Sequence, residues 1–184
     1  MIRILVAEDH HLVREGICKL LREAGDLEIV GEADNGVETV RLTQLLRPDV
    51  LVLDVVMPQM DGLEALRRVK ALKPSPQVVM LSMHGDLPTV QQAVQNGAVG
   101  YVLKQSVGDE LIAAVRAASR GSVYLSAGVA KVVTQNLVGT QPVNPLDRLS
   151  LAEGPPPCSE ELAAPGKLQG RHLPYPSAGP RKAQ

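Results

Sequence analysis

Apolar positions in the first 120 residues alternate between short unbroken runs and longer stretches with helical spacing. The short runs are rich in Val, Ile and Leu, and they predict buried strands at residues 2–7, 27–33, 49–54, 77–82 and 99–104. The longer stretches predict helices near residues 10–24, 37–46, 62–72, 88–96 and 108–119. Five strand and helix alternations without a hairpin signal favour an α/β fold, with a parallel sheet covered by helices on both faces.

The pattern changes after residue 121. Ser126 can cap a short helix, which ends at Gly139 and has an apolar stripe of Val129, Val132, Val133 and Leu137. Residues 151–184 contain 4 Gly and 7 Pro and have no sustained apolar period, so we expect this tail to be largely disordered. The predicted organisation is therefore a domain at 1–121, a linker with a short helix at 122–150, and a tail at 151–184.

A single carboxylate, Asp54, interrupts the most apolar stretch of the chain at the end of strand three. Burying an unpaired carboxylate costs several kcal/mol, so Asp54 needs partners. In an open parallel sheet, ligands bind beyond the carboxyl ends of the strands, and the residues that end strands share that rim. Here the strand-ending polar residues are Glu8, Asp9, Asp54, Ser82 and Lys104.

Three acids on one rim predict a cation site. If strands one and three are neighbours ~4.8 Å apart, Glu8, Asp9 and Asp54 come within reach of one ion. Each pair of like charges at ~4 Å costs about 4 kcal/mol at an effective dielectric near 20, so either the carboxyl pKa values rise or a cation binds. Oxygen ligands without cysteine or a well-placed histidine favour Mg²⁺.

A carboxylate beside a hard cation, a lysine and a hydroxyl is equipped to accept a phosphoryl group. Asp54 would be the nucleophile, while Lys104 and the metal neutralise charge and Ser82 donates a hydrogen bond. Taken singly, Ser82 as a turn residue and Lys104 as a surface lysine are equally good interpretations. We interpret His10 and His11 as ordinary polar residues of a first helical turn.

These residues together resemble the receiver domain of two-component response regulators. The matching positions are Glu8 with Asp9, the segment 53–58 around Asp54, Ser82, and the segment 100–104 ending in Lys104. The segment 121–126 resembles the NarL/FixJ, or LuxR-type, subfamily, while Gln105 stands where many receivers have proline. The resemblance implies a flavodoxin-like, doubly wound sheet of five strands in the order 2-1-3-4-5, with the receiver at residues 1–121.

The resemblance also implies partners and roles. A histidine kinase would donate the phosphoryl group, and the backbone carbonyl of Val56 would join Glu8, Asp9 and Asp54 as a metal ligand. Ser82 would turn toward the new phosphate and Tyr101 would swing inward. The face of helix four, strand five and helix five would be the signalling surface and the contact surface of a homodimer. The domain would be a switch and not a turnover enzyme.

Composition restricts location and partners. A net charge of -1 creates no field that would concentrate nucleic acid or an acidic membrane. The two cysteines, Cys18 and Cys158, are far apart and suggest free thiols in a reducing compartment. The chain opens directly into a strand and contains no run of membrane-spanning length, so we expect a cytoplasmic protein without a membrane partner.

The expected output domain is not recognisable. Regulators of this subfamily continue into a DNA-binding helix-turn-helix domain, and residues 147–150 resemble its beginning, but the pattern stops there. The tail has too few cations for a DNA-reading head, so DNA binding through it is not expected. We expect a receiver-only chain, produced by truncation or a reading-frame change. The alternative is a LuxR-type transcriptional regulator with an unrecognised output domain; a carboxylate-nucleophile phosphatase fits less well, since Val56 replaces a second aspartate.

Overall fold

The computed structural model describes residues 1–139, which belong to one compact unit. Its strands are β1 (Ile2–Ala7), β2 (Leu27–Ala33), β3 (Val50–Asp54), β4 (Gln77–Ser82), β5 (Gly100–Leu103) and β6 (Tyr124–Leu125). Its helices are α1 (His11–Glu23), α2 (Gly36–Leu46), α3 (Gly62–Ala71), α4 (Leu87–Gln95), α5 (Asp109–Ser119) and α6 (Ala127–Gly139). The predictions for residues 140–184, including the disordered tail, lie outside the described residues.

The sheet is parallel throughout, with strand order β2-β1-β3-β4-β5-β6. The predicted order of the first five strands is confirmed, but the predicted number of five is wrong. The sixth strand has only two residues, and it pairs with β5 through Tyr124 N–H to Val99 O and Ser126 N–H to Tyr101 O, both 2.9 Å. Two residues are too few to show an apolar period in the sequence. They form a strand because the edge of β5 offers backbone groups for pairing.

Side-chain alternation along the strands divides the core into two layers. On β3, Leu51 and Leu53 face the layer that contains α3 and α4, whereas Val50 and Val52 face the layer that contains α1 and α5. All five residues of β3 are buried, as expected for a central parallel strand covered on both sides. Cys18 lies in the α1 and α5 layer and is buried.

Helix α6 packs on the same unit. Val129 is fully buried in the layer that contains Tyr101, and Val133 packs at its margin. The predicted helix is present, but among residues 1–139 the Ser126 hydroxyl has no hydrogen-bond partner, so the expected side-chain cap is not formed. The Ser126 carbonyl does accept the first hydrogen bond of the helix, from Ala130 N–H at 2.9 Å. Within the described part of the chain, we find no helix with the length and apolarity needed to cross a membrane.

Candidate functional site

The carboxyl ends of the strands bring the predicted site residues together. Asp54 is the last residue of β3 and Ser82 the last of β4, while Glu8 and Asp9 directly follow β1. Strands β1 and β3 are neighbours, with Ala7 paired to Leu53, so the ends of the two strands lie side by side as the predicted cation site assumes. Strand β5 ends at Leu103, one residue earlier than predicted, and Lys104 begins a short 3₁₀ turn, Lys104–Ser106.

Lys104 contacts both buried acids. Its Nζ donates to Asp54 Oδ2 at 2.8 Å and to Glu8 Oε1 at 3.0 Å, and it also lies 2.7 Å from Glu8 Oε2. Glu8 is 0% exposed and Asp54 is 2% exposed. One ammonium thus neutralises parts of two carboxylates that approach each other from different strands.

The pKa values follow from this crowding. Burial is the largest effect on Asp54 and raises the pKa of its carboxyl, and the Glu8 charge raises it further, while the hydrogen bond from Lys104 only partly offsets the rise. For Lys104, burial lowers the pKa, but the hydrogen bonds to Asp54 and Glu8 outweigh it and the net pKa is raised. The ammonium therefore keeps its charge at neutral pH, and the two carboxylates compete for it.

Asp9 completes the acidic group from a more exposed position. Its Oδ1 lies 2.7 Å from His10 Nδ1, and that ring nitrogen is 3.5 Å from Glu8 Oε1. Ligand atoms of Glu8, Asp9 and His10 lie within 4.8 Å of one another, so the group could hold a metal ion, whereas Asp54 is not in the group of that size found among the described residues. The sequence predicts no metal role for His10, because a polar residue at a first helical turn carries no special signal.

The donor set fits a hard cation better than a soft one. Glu8 Oε2 is buried and has no partner with hydrogen-bond geometry among residues 1–139, although the Lys104 ammonium lies 2.7 Å away, so it retains acceptor capacity at the rim. Lys104 contacts two of the three carboxylates, Glu8 and Asp54, and the His10 ring is 72% exposed at the margin. Excess negative charge on oxygen ligands is the environment that divalent cations such as Mg²⁺ prefer.

Ser82 and Tyr101 lie next to this group and share a backbone partner. The Ser82 hydroxyl accepts from His84 N–H at 3.1 Å, and the Tyr101 hydroxyl donates to the His84 carbonyl at 3.1 Å. Tyr101 is fully buried, so its ring occupies the inward position in this structure. The loop after β4 is therefore held by side chains from two neighbouring strands, β4 and β5.

The loop that contains Val56 is held against β3 by a glycine whose contact no sequence pattern indicates. Gly62 N–H donates to Val55 O at 2.8 Å, and a Cβ at Gly62 would lie 1.9 Å from the Asp54 carbonyl oxygen. The first turn of α3 can therefore close over the end of β3 only without a side chain. A glycine at the start of a predicted helix was the only sequence signal, and it did not distinguish contact from capping.

We expect Gly62→Ala to destabilise the fold. The added methyl must displace either the β3 backbone or α3, and such overpacking costs about 1–3 kcal/mol. Gly16→Ala is the matched control, because a Cβ at Gly16 in α1 meets nothing within 4 Å and should stabilise the helix by roughly 0.5–1 kcal/mol. Urea unfolding of both variants measures the difference; equal free energies of unfolding would contradict the observed close approach.

A parallel sheet whose carboxyl rim combines acids from two strands with a lysine from a third is the arrangement expected of a phosphate-handling signalling domain. The family model described as response regulator receiver domain matches residues 4–116. The chain therefore belongs to the response regulator receiver family, and it contains the receiver of a two-component response regulator.

Similarity to individual proteins indicates the LuxR-type branch. The transcriptional regulatory protein LiaR of Bacillus subtilis is 39% identical over 137 residues, which cover 74% of this chain and 65% of LiaR. A LuxR-family response regulator from Aurantimonas sp. has a TM-score of 0.72 and 30% identity, covering 75% of this chain and 99% of that one. The receiver domain of the putative response regulator NarL of Mycobacterium tuberculosis has a TM-score of 0.63 and 38% identity, covering 65% of this chain and 97% of that one.

Proposed function

We propose that Asp54 accepts a phosphoryl group from a histidine kinase and that the charge change switches the domain between two conformations. The observation that carries the proposal is the contact of Lys104 Nζ with both Asp54 and Glu8, 2.8 and 2.7 Å away. In the transfer, an Asp54 carboxylate oxygen forms a bond to phosphorus while the bond from phosphorus to the donor breaks, and the leaving group keeps that electron pair. Lys104 offsets the negative charge on the transferring oxygens.

We assign Mg²⁺ to the acids of the same rim, with Glu8, Asp9 and Asp54 as carboxylate ligands and the Val56 backbone carbonyl as a further ligand. When bound, the ion would neutralise phosphoryl oxygens. Asp54 Oδ2 receives the hydrogen bond from Lys104, which leaves Oδ1 as the oxygen better placed to attack. Ser82 would supply its hydroxyl to the new phosphate, and the inward Tyr101 would then hold the loop through His84. In this role the domain is modified once per signal and is not a turnover enzyme.

The direct test uses a small acyl phosphate with Mg²⁺, followed by intact mass spectrometry. The proposal expects one added phosphoryl group when Mg²⁺ is present. No phosphoryl group should be added when EDTA removes Mg²⁺ before the donor is supplied. A protein that gains no phosphoryl group with Mg²⁺ present would contradict it. The measurement needs no partner, so it separates the chemistry of Asp54 from recognition by a kinase.

Exposed apolar side chains surround the rim and provide a surface for the kinase. Leu12 is 80% exposed at the start of α1, Val56 is 74% exposed two residues after Asp54, and Met83 is 55% exposed after Ser82. A phosphohistidine must come close to Asp54, and an apolar ring around it suits an apolar helical face of the donor. We propose these three residues as part of the kinase contact.

We expect Leu12→Ser to slow transfer from a phosphorylated kinase by about 10-fold, as for an interface residue worth ~1.4 kcal/mol, while labelling by acyl phosphate stays unchanged. Leu45→Ser is the matched control, since Leu45 is 68% exposed near the end of α2, away from the rim. Transfer rates are measured with a kinase that labels the parent. If both leucine variants receive phosphate at the parent rate, Leu12 is not part of the contact.

The output side is proposed from the family resemblance. We propose that the receiver extends to about residue 121, and that the surface of α4, β5 and α5 carries the signal and a homodimer contact. Helix α6 already packs beside this surface through Val129. The described residues 1–139 form the sheet, its covering helices and α6, so the proposal concerns the receiver, and DNA binding is not part of it. A cytoplasmic location, where such a kinase transfers phosphate, is part of the same proposal.

A further inference from the structure

Arg14 differs from the other arginine on its helix in both burial and direction. Its side chain is 14% exposed, whereas that of Arg22 is 57% exposed. Nη1 of Arg14 donates to the backbone carbonyl of Glu8 at 2.6 Å, and Nε lies 3.5 Å from Glu32 Oε2 on β2. The guanidinium thus connects the end of β1 to β2 from a position on α1.

The carbonyl that Arg14 holds belongs to the peptide bond between Glu8 and Asp9, the two acids of the cation site. Glu8 is fixed from its other side as well, because its N–H donates to the Ala33 carbonyl at 3.1 Å. Rotation of the Glu8–Asp9 peptide would break the contact with Arg14. The direction in which the Asp9 side chain points therefore depends on the guanidinium of Arg14.

Asp9 has little else to orient it. Its side chain is 28% exposed, and its hydrogen bond goes to the exposed ring of His10. Glu8, in contrast, is enclosed and contacts Lys104 and the His10 N–H. Of the two acids, Asp9 is the one whose placement relies on the backbone.

The chemistry of arginine suits this task. A planar guanidinium has five N–H donors in a fixed arrangement, so it can donate to the Glu8 carbonyl and face the Glu32 carboxylate at the same time. A lysine at this position keeps the charge but cannot reproduce both directions at once. Replacing Arg14 by lysine therefore tests the geometry of the side chain separately from its charge.

We propose that Arg14 is a positioning residue for the cation site, and that it acts by fixing the Glu8–Asp9 peptide so that Asp9 points at the ion. The inference rests on the proposed function, because it takes Mg²⁺ as the ion that Glu8, Asp9 and Asp54 hold. Groups that orient metal ligands from outside the coordination shell commonly change metal affinity by about 10- to 100-fold when removed. Arg14 belongs with such groups, since it touches the ligand backbone and not the reacting atoms.

The test is the Mg²⁺ dissociation constant, measured by calorimetry on the full chain. Arg14→Gln is expected to raise it by about 10-fold or more, and Arg14→Lys to give a value between those of the parent and Arg14→Gln. Arg22→Gln is the matched control, because Arg22 also pairs with Glu32, at 3.2 Å, and is directed away from Glu8. Its dissociation constant should stay within about twofold of the parent, as expected for an exposed ion pair.

A second readout distinguishes positioning from a general loss of structure. Thermal unfolding in EDTA reports stability without metal, and labelling by acyl phosphate at rising Mg²⁺ reports the site. With Arg14→Gln, saturating Mg²⁺ should restore the labelling rate, since only the affinity of the ion is changed. Equal dissociation constants for Arg14→Gln and Arg22→Gln, or a rate that excess Mg²⁺ does not restore, would overturn the inference.

The remaining outcomes are equally decisive. If Arg14→Gln does not fold, Arg14→Lys decides, and a dissociation constant equal to the parent value overturns the inference. If the parent itself shows no Mg²⁺ binding, the metal assignment of the proposed function fails. If the parent binds Mg²⁺ and is labelled while every arginine variant binds equally well, the proposed function stands and only the role of Arg14 is rejected.

Discussion

Asp54→Asn is expected to abolish phosphorylation by a small acyl phosphate in the presence of Mg²⁺. The amide has no charged oxygen to attack phosphorus, and removal of a nucleophile lowers such a rate by at least ~1000-fold. The fold should survive, because asparagine has the shape of aspartate and Lys104 can still pair with Glu8, 2.7 Å away. Intact mass spectrometry over a time course gives the rate, and circular dichroism verifies the fold.

The matched control for this experiment is Asp34→Asn. Asp34 follows β2 on the same rim and contacts Asn35, outside the contacts of Lys104. Its variant should be labelled at the parent rate, which shows that the loss is specific to one carboxylate. Labelling that persists in Asp54→Asn, with the phosphoryl group located on another residue, would reject Asp54 as the acceptor and with it the proposed switch.

The acidic rim could be predicted because its logic depends on strand ends alone. A carboxylate after four buried aliphatic residues, as in β3, has to find partners, and the parallel topology brings the ends of β1, β4 and β5 to the same edge. Lys104 is 96 residues from Glu8 in sequence, yet the strand-end pattern predicts both on one rim, and their side chains are in contact there. Helical spacing likewise predicted α6 and its buried Val129.

Other features depend on tertiary contacts that no local pattern carries. The two residues of β6 become a strand only because β5 presents a free edge. The need for glycine at position 62 arises from the carbonyl of Asp54, eight residues earlier, and the position of Arg14 from a bend of the chain after β1. These contacts join segments whose relative placement is set by packing, so composition and periodicity contain no trace of them.

Lys104→Met is expected to lower the free energy of unfolding by about 3–5 kcal/mol when Mg²⁺ is absent. The lysine side chain is 11% exposed, and its loss leaves the buried carboxylates of Glu8 and Asp54 without their shared cation. Methionine keeps the length and the apolar part of the side chain, so the change isolates the charge. Urea unfolding in EDTA measures the loss, and Lys19→Met, on the exposed face of α1, should stay within about 0.5 kcal/mol of the parent.

Combining this change with Asp54→Asn tests whether the two carboxylates really compete for one ammonium. In the Asp54→Asn background only Glu8 is left unpaired, so Lys104→Met should cost less than in the parent, with a coupling of roughly 0.5–3 kcal/mol. At a Mg²⁺ concentration a hundredfold above the dissociation constant of the single variant, about 2.7 kcal/mol of the loss should be recovered, because the ion binds the folded state only. At that same concentration the recovery should be smaller in the double variant, which has lost one proposed carboxylate ligand and binds the ion more weakly. Additive free energies and equal recovery would show that Lys104 does not link Asp54 to Glu8, and the electrostatic account of the site would be wrong.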